Sequence, residues 1–478
     1  MMQEETLSRA EQIMQRAVRA AAVFTQLDQK QTDRIVRAVY KAGFDQRIRL
    51  AKMAAEETEI GKWKDKVIKN VIATQLVYED IKDLKTVGII SEDHVRGIVE
   101  IAQPLGPLFA IVPVTNPTST VLFKCLIAMK TRNPIIIHSP GFVQNCVQET
   151  ARVCYEAALS EDAPEDCIQC TGRMSREQTQ ELMRHKNLAL IIATGGGAFV
   201  KAAYLSGTPT IGVGSGNVPA FIEPTADIPF AVEQVFLSKT FDNGTVCASE
   251  QAVVVERSIA GQVIEQFKHR KAYFLSQEEV GLLGPIAFDQ ENGVMRVTVI
   301  GRPATAIAYK AGISVPPDTT LLIAPISGVG DVYPLSSEIL APILAFYVVD
   351  GFDDAVKLCL DLNYHGGLGH TVSIFSNDES KIKQFATLMN AGRIIVNTPS
   401  SQGALGGIYN TLHPSFTLSC GSGGKNTTTD NITAMHLVNI QRIARRRMNE
   451  RFTHLDQNIY LDETIDAELL QKIYGRNY

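Results

Sequence analysis

A cysteine in the stretch TFDNGTVCASEQ, residues 240–251, is the first candidate for chemistry in this chain. Asp, Asn and Gly open a predicted turn ahead of Cys247, and Thr and Ser lie close to it. A lone cysteine is most often a small buried hydrophobe. In an exposed turn it is instead a candidate nucleophile, because a thiolate adds readily to a carbonyl carbon. The residues around Cys247 predict an exposed turn and leave both interpretations open.

Three further polar side chains lie next to a predicted strand or a glycine turn. Asn116 lies in the stretch PVTNP, where a side-chain amide can donate to an oxyanion, a contribution of about 3–4 kcal/mol to transition-state stabilisation. Asn-Pro is equally a common loop pair without a catalytic role. His365 and His370 flank the glycine turn HGGLGH. Isolated histidines are more often structural than catalytic, but two on one predicted loop are candidates for proton transfer.

Two glycine clusters are candidates for binding a phosphate. Thr194-Gly-Gly-Gly197 stands between a predicted strand and a predicted helix, where backbone N–H groups can meet a phosphate. It is not a Gly-x-Gly-x-x-Gly fingerprint, so a plain tight turn stays equally open. The second cluster, Gly212-Val-Gly-Ser-Gly-Asn217, precedes a predicted strand at 219–223. If both clusters occupy strand-to-helix positions, a dinucleotide can lie across the sheet edge.

Length and composition are those of a soluble globular protein of two or three domains: 478 residues, 45% hydrophobic and 20% charged. A net charge of −5 without a basic block argues against nucleic acid as a partner. Eight scattered cysteines are typical of reduced intracellular thiols. The lone CxxC at 167–170 has no second pair, so no metal site is predicted. No apolar stretch approaches the roughly 20 residues that span a bilayer, and the sequence predicts a cytoplasmic protein without membrane contact.

The elements that must position these residues alternate along the chain. Apolar stripes at helical spacing predict helices over the first 85 residues, and the alternating stretch 95–102 predicts a strand. Buried strands separated by helices then indicate parallel sheets covered on both faces. The carboxy-terminal segment is predicted to be charged and helical in parts, over NIQRIARRRMNERF (439–452) and AELLQKIYGRN (467–477). The predicted strands that follow residue 105 are 108–112, 134–138, 188–194, 219–223, 251–256, 320–324, 341–349, 371–375 and 393–396.

Six stretches together resemble the aldehyde dehydrogenase superfamily, and in particular its CoA-acylating branch, which includes the aldehyde dehydrogenase half of bifunctional aldehyde–alcohol dehydrogenases. The resemblance covers nearly the whole chain, to about residue 450. The stretches are VPVTNPTSTVLFK (112–124), ATGGGAFVKAAYLSGTPTIGVGSGNVP (193–219), SKTFDNGTVCASEQAVVV (238–255), GLGHTVSIF (367–375), VNTPSSQGALGGIYN (396–410) and LSCGSGGKN (418–426).

The resemblance implies an α/β fold with three parts. A Rossmann-like NAD-binding domain is expected over 1–86 and 106–240, and an α/β catalytic domain over 241–425. A small strand-rich oligomerisation element and a tail are expected over 87–105 and 426–478. The family also implies a homodimer or a higher homo-oligomer.

The resemblance also implies roles for individual residues. Cys247 matches the nucleophile, and Asn116 matches the asparagine that holds the oxyanion together with the Cys247 backbone N–H. Glu338 matches the glutamate that binds the nicotinamide ribose. His370 is expected, from its predicted loop position and not from the resemblance, to assist proton movement or to deprotonate the CoA thiol. The remaining cofactor contacts are expected at Gly195, Gly196, Gly197 and Gly214 near the pyrophosphate and at His138, Ser139 and Pro140 near the adenosine ribose.

Two departures from the family bear on the chemistry. Hydrolytic members carry a glutamate where this chain reads IGVGSG, residues 211–216. Without a general base, water is a poor nucleophile, so a thioester can survive until the thiol of CoA arrives. Hydrolytic members often have a lysine near the position of His138-Ser-Pro140, and its absence leaves NADP as an alternative to the favoured NAD.

The sequence therefore predicts reversible oxidation of a short-chain aldehyde, acetaldehyde by default, to acyl-CoA with NAD in the cytoplasm or in a bacterial microcompartment. Three alternatives stay open: a dehydrogenase that releases a free acid with a base not recognised in the sequence, an acylating enzyme for another aldehyde such as sulfoacetaldehyde, and a catalytically idle scaffold.

Overall fold

A computed structural model describes residues 7–476, so the first six and last two residues of the predicted domains lie outside it. The amino-terminal segment is helical, as predicted. The N-cap residue Ser8 caps the first helix, and the N-cap residue Asp28 forms a capping box with Gln31 on the second. A π-helical segment, Ile72–Leu76, joins the fourth helix to the fifth. The elements are α1 (Arg9–Phe24), α2 (Gln29–Asp45), α3 (Arg47–Thr58), α4 (Trp63–Val71), α5 (Val77–Ile81), β1 (Gly88–Asp93) and β2 (Ile98–Pro104).

A five-stranded parallel sheet follows, as its apolar strands predict. Its elements are β3 (Leu108–Ile111), α6 (Pro117–Lys130), β4 (Ile135–His138), α7 (Gln144–Leu159), β5 (Ile168–Cys170), α8 (Arg176–Met183), β6 (Leu190–Thr194), α9 (Gly197–Tyr204) and β7 (Thr210–Val213). The strand order β5-β4-β3-β6-β7 reverses between β3 and β6. Ligands of open α/β sheets bind beyond the carboxyl ends of the strands at such a switch point. Helix α6, buried along its whole length, starts just beyond the end of β3.

A seven-stranded parallel sheet has the order β10-β13-β14-β9-β8-β15-β16. Its elements are β8 (Val218–Ile222), α10 (Ile228–Thr240), β9 (Glu250–Glu256), α11 (Arg257–His269), β10 (Ala272–Phe274), α12 (Gln277–Ala287), β11 (Phe288–Asp289), β12 (Val294–Met295), α13 (Ala304–Lys310), β13 (Leu321–Pro325), β14 (Ile343–Val349), α14 (Phe352–Gly366), β15 (Gly369–Phe375), α15 (Glu379–Leu388), β16 (Ala391–Val396) and α16 (Ser400–Leu405). β11 and β12 form a separate two-stranded antiparallel pair.

The second glycine cluster joins these two sheets. β7 ends at Val213 in the first sheet and β8 starts at Val218 inside the second, so residues 214–217 connect strand to strand. The prediction that both glycine clusters occupy strand-to-helix positions is therefore wrong for this one. β8 pairs with β9 and β15, which places 218–222 in the second sheet, whereas the sequence-based boundary at residue 240 assigns them to the first domain.

The carboxy-terminal segment returns to β1 and β2. Strand β17 (Val438–Ala444) pairs antiparallel with β2 over its whole length, and β1 pairs with the other side of β2. The prediction of helix in 439–452 is wrong for these residues, because the ladder with β2 outweighs the local pattern. The remaining helices are α17 (Glu450–Thr453) and α18 (Ala467–Arg476). No helix among residues 7–476 is long and apolar enough to cross a membrane.

Candidate active site

The turn that carries Cys247 is buried, and the prediction of an exposed turn is wrong. Cys247 lies between a 3₁₀ turn, Phe241–Gly244, and the start of β9. Residues 242–246, 248 and 249 are buried, and Cys247 is half-buried. Asp242 and Asn243 have positive φ angles, +48° and +53°, which Asp and Asn tolerate better than most residues. Their polarity, read from the sequence as exposure, instead supplies buried hydrogen bonds.

The environment of Cys247 favours the neutral thiol. Burial, with a smaller contribution from the charge of Glu338, raises the pKa of Cys247 to about 12, and the charge of Arg393 opposes the rise. Because the thiolate is the nucleophile, addition to a carbonyl at neutral pH requires a group that takes the thiol proton. Arg393, on β16, was not singled out in the sequence; it is buried, and it donates to the Ser419 carbonyl at 2.8 Å.

Asn116 presents its amide nitrogen to the nucleophile turn. It is the N-cap residue of α6. Its Nδ2 donates to Thr115 Oγ1 at 3.0 Å and to the Thr245 carbonyl at 3.3 Å, while its Oδ1 accepts from Lys69 Nζ at 2.7 Å. Thr245 is two residues before Cys247, so the structure brings the predicted oxyanion donor to the predicted nucleophile. At 3.3 Å the contact with the Thr245 carbonyl is longer than the usual N–H···O range and is the longer of the two that Nδ2 makes.

Two buried lysines, missed by sequence reasoning, hold the turn from α4. Lys66 Nζ lies 3.0 Å and Lys69 Nζ 2.5 Å from Asp242 Oδ2. Lys66 also donates to the Thr115 carbonyl at 3.0 Å, and Lys69 to Thr245 Oγ1 at 2.9 Å. We call Lys66, Lys69 and Asp242 the lysine–aspartate cluster. The local sequence KVIKN, in which three of five residues are polar, gives no sign that these two lysines are buried.

Gly216 is the point at which three predicted site residues come together. Its backbone N–H donates to Glu338 Oε1 at 2.9 Å. A Cβ added at Gly216 would overlap the Cys247 carbonyl oxygen and would lie 3.3 Å from His370 Cδ2. Burial raises the pKa of Glu338 to about 7. The structure therefore places a titratable carboxylate beside Cys247, although the 211–216 stretch itself has none.

His370 lies in strand β15 rather than in a loop, so the loop position on which its predicted role was based is wrong. Its side chain is fully buried, and Nδ1 lies 2.9 Å from Thr371 Oγ1. Nε2 has no hydrogen-bond partner among the described residues. Burial and the charge of Arg393 lower the pKa of His370 to about 3, so the ring is neutral at pH 7. His365, in the last turn of α14, lies 2.9 Å from Ser337 Oγ through Nε2.

The first glycine cluster has the geometry of an anion site. Gly195 follows β6 at the switch point, and Gly196 is the N-cap residue of α9 without a side-chain hydrogen bond. A Cβ at Gly196 or Gly197 would meet no atom within 4 Å, and both residues are exposed. Uncapped backbone N–H groups at an open helix amino terminus fit a dinucleotide pyrophosphate. Gly214, in the connection between the sheets, is likewise open.

The model of the Aldehyde dehydrogenase family matches residues 1–411 of this chain. The chain belongs to that family. The bifunctional aldehyde-alcohol dehydrogenase of Escherichia coli strain K12 is 42% identical over 452 residues, which are 94% of this chain and 50% of the relative. The chain thus spans about half the length of the first curated relatives it matches.

Two other relatives match over most of both chains. The succinate-semialdehyde dehydrogenase (acetylating) of Clostridium kluyveri is 35% identical over 416 residues, 87% of this chain and 91% of the relative. The crystal structure of an acetylating aldehyde dehydrogenase from Geobacillus thermoglucosidasius has a TM-score of 0.89 and 44% identity, with 92% of this chain and 97% of that chain covered. The predicted α/β aldehyde dehydrogenase fold is confirmed.

The remaining cofactor residues predicted from the family lie at the last residue of β4 and directly after it. His138 is buried, with its ring 5.8 Å from Phe109 and its Nδ1 2.9 Å from Thr171 Oγ1. Burial lowers the pKa of His138 to about 4. Ser139 is also buried, and Pro140 is half-buried at the sheet edge, so a contact with adenosine at this edge would use Pro140 and backbone atoms rather than the imidazole. Among residues 7–476, no three His, Cys, Asp or Glu side chains are grouped to hold a metal ion.

Proposed function

We propose that this member of the family is a CoA-acylating, NAD-dependent aldehyde dehydrogenase, with acetaldehyde as its default substrate. The observation that carries the proposal is that the amide nitrogen of Asn116 donates to the carbonyl of Thr245, two residues before the half-buried Cys247. A thiol close to an oxyanion donor suits addition to a carbonyl. The names of the acetylating relatives support the acylating reaction.

Carbon–sulfur bond formation is the first step. The Cys247 thiol loses its proton to Glu338. This carboxylate accepts from the Gly216 N–H, next to Cys247, and has a pKa of about 7. The thiolate adds to the aldehyde carbon, and the Asn116 amide and the Cys247 backbone N–H stabilise the oxyanion. Gly195–Gly197 would hold the pyrophosphate of NAD, which would supply the acceptor for the hydride lost from the thiohemiacetal carbon. The product on the protein is a Cys247 thioester.

CoA then takes the acyl group. The CoA thiol releases its proton to solvent, and its thiolate adds to the thioester carbon and expels the Cys247 thiolate. Cys247 then takes back the proton held by Glu338, which regenerates the protein and releases acyl-CoA. No carboxylate in 211–216 activates water against the thioester. These reaction steps are reversible, so the same residues catalyse the reduction of acyl-CoA. The ribose-binding role of Glu338 and the proton-transfer role of His370 stay predictions.

One observation favours a second candidate, release of a free acid. Glu338 lies beside Cys247 with a pKa of about 7, and a carboxylate of that pKa can activate water. The acceptor of the acyl group, CoA or water, therefore decides between the two candidates.

The deciding experiment follows NADH formation from acetaldehyde with and without CoA and identifies the product by mass spectrometry. We expect CoA-dependent turnover and acetyl-CoA. Equal turnover without CoA, with acetate as the product, contradicts the acylating function and supports hydrolysis. Cys247→Ala should abolish turnover, whereas Cys170→Ala, which removes the other half-buried cysteine, should retain it.

Three finer points belong to the same proposal. NAD is preferred over NADP, and parallel assays with the two cofactors measure the preference. A homodimer or higher oligomer forms through the sheet of β1, β2 and β17, and light scattering of the wild type measures its mass. Fluorescence microscopy of a tagged chain tests the cytoplasmic or microcompartment location.

A further inference from the structure

Among the side chains of residues 7–476, Lys69 is the one that contacts both halves of the proposed oxyanion site, Asn116 and Thr245. Its ammonium donates to Asn116 Oδ1 at 2.7 Å and to Thr245 Oγ1 at 2.9 Å, in addition to its contact with Asp242. Asn116 supplies the amide donor, and Thr245 is part of the turn that carries Cys247 and its backbone N–H. Lys69 is 1% exposed, and its ammonium group is hydrogen-bonded to Asn116, Asp242 and Thr245 rather than to Cys247.

The contact with Asn116 determines which end of the amide faces the nucleophile. An ammonium group has three donors and no acceptor, so the atom it faces must be the amide oxygen. The Nδ2 group is then directed to the Thr245 carbonyl, 3.3 Å away in the nucleophile turn. With the amide rotated by 180°, two donors would face each other in a buried site, which costs about 1–3 kcal/mol for an unsatisfied group.

The charge of the cluster adds a second effect. Two ammonium groups share one carboxylate, so the lysine–aspartate cluster has an excess of one positive charge; the other neighbouring carboxylate, Asp65, is half-buried and accepts from the Asp242 backbone N–H at 2.8 Å. A cation hydrogen-bonded to an amide oxygen polarises the amide and makes its N–H a stronger donor. That polarisation favours an oxyanion on the opposite side of Asn116.

We propose that Lys69 is a positioning residue of the oxyanion site: it orients and polarises the Asn116 amide toward the tetrahedral intermediate on Cys247. The inference rests on the proposed function, because it assigns Lys69 a role in carbonyl addition. Lys66 has no such role, although it binds the same Asp242 oxygen from the same helix.

Lys66 therefore provides a matched control. Lys69→Met and Lys66→Met each remove one ammonium group from Asp242 and each leave one lysine paired with it. We expect Lys69→Met to lower kcat by about 10- to 100-fold, because a misplaced catalytic group has effects of this size, with little change in KM for aldehyde or NAD. Lys66→Met loosens the same Asp242 contact but leaves Lys69 bound to the Asn116 amide, so it should lower kcat clearly less than Lys69→Met does.

A double-mutant cycle separates positioning from a purely structural role. If Lys69 acts through Asn116, Lys69→Met should lower kcat little further in an Asn116→Ala background, because interacting residues are not additive. Additive effects, or equal losses for Lys69→Met and Lys66→Met, would overturn the inference. If Lys69→Met does not fold, as judged by circular dichroism, Lys69→Gln takes its place in the same cycle with the same two outcomes.

A second substrate keeps the inference independent of the dehydrogenase reaction. With p-nitrophenyl acetate, Cys247 adds to the ester carbon, an oxyanion forms, and p-nitrophenolate leaves to give acetyl-Cys247 without NAD or CoA. The non-additivity of Lys69 and Asn116 should appear in the rate of p-nitrophenolate release. Non-additivity here without aldehyde oxidation by the wild type would contradict the proposed function alone, whereas additivity in an active wild type would contradict the role of Lys69 alone.

Discussion

The two loops of the candidate site are built in opposite ways. The glycine loop 195–197 is exposed, its helix amino terminus is uncapped, and a side chain at Gly196 would meet nothing. The nucleophile turn 242–249 is buried, and its Asp242 is held by two lysines from a helix about 176 residues earlier in the chain. A loop that receives a ligand needs free backbone donors, whereas a nucleophile needs a fixed position relative to its oxyanion donor. Both loops appear in the sequence as polar or glycine-rich turns.

Asp242→Asn should have the largest effect and should show how strongly the nucleophile turn is held. Loss of the carboxylate leaves two buried ammonium groups unpaired, which costs about 3–5 kcal/mol of the free energy of unfolding. Urea denaturation measures the change, and Asp83→Asn, at an exposed position, should change it by less than about 0.5 kcal/mol. Equal stability of the two variants would mean that the cluster does not hold the turn.

The same carboxylate sets a pH dependence. Burial alone would raise the pKa of Asp242, but Lys66 and Lys69 outweigh burial and lower it below 3.8. A carboxyl group whose pKa is lower in the folded state contributes stability above its unfolded pKa, near 3.9, and loses it as the pH falls through the folded value. The stability difference between wild type and Asp242→Asn should therefore be full at pH 6 and should shrink below about pH 4.

Asn116→Ala tests whether Asn116 and the buried turn that carries Cys247 form an oxyanion site. Removal of one oxyanion donor lowers kcat by about 10²- to 10³-fold, or about 3–4 kcal/mol. Steady-state kinetics with acetaldehyde, NAD and CoA measure the loss, with thermal unfolding as a control for folding. A kcat within a factor of three of the wild type would remove Asn116 from the mechanism.

A pair of glycine substitutions compares the two loops directly. Gly216→Ala places a methyl group on the Cys247 carbonyl oxygen, and overpacking of this kind costs about 1–3 kcal/mol. Gly196→Ala meets open space and should change the free energy of unfolding by less than about 0.5 kcal/mol. Its effect should instead appear in KM for NAD. A Gly196→Ala variant as unstable as Gly216→Ala would end the distinction between an open loop and a fixed turn.

Glu338→Gln should have the smallest of these effects when the measured quantity is labelling of the Cys247 thiol, which reports the thiol pKa and is separate from proton transfer to Glu338 during turnover. The charge of Glu338 raises the pKa of Cys247, so its removal lowers the thiol pKa and increases the thiolate fraction at a given pH. Glu338 has a pKa of about 7, so the variant should react faster with iodoacetamide above pH 7 and like the wild type below it. We expect a difference of less than about tenfold, the equivalent of one pKa unit. Slower labelling of the variant than of the wild type above pH 7 would mean that Glu338 lowers the pKa of Cys247 rather than raising it.

Much of the fold and part of the site follow from local sequence. The runs of apolar residues that form β3, β4 and β6 predict a parallel sheet, because strands buried on both faces need no alternation. The motifs around Cys247 and Asn116 predict the pair that the structure brings together. By contrast, 439–444 has a helical local pattern and becomes a strand, because its backbone pairs with β2 about 340 residues away.

By itself the sequence determined the family, the alternation of strands and helices, and the residue types at the candidate site. Only the tertiary structure decided that the Cys247 turn is buried, that His370 lies in a strand, that a carboxylate from residue 338 meets Gly216, and that Lys69 orients Asn116. The physical reason is that the cost of burying a charge and the identity of its partner are properties of three-dimensional neighbours. Lys69, Asn116 and Asp242 come from three separate segments, and their local sequences carry no sign of one another until the chain folds.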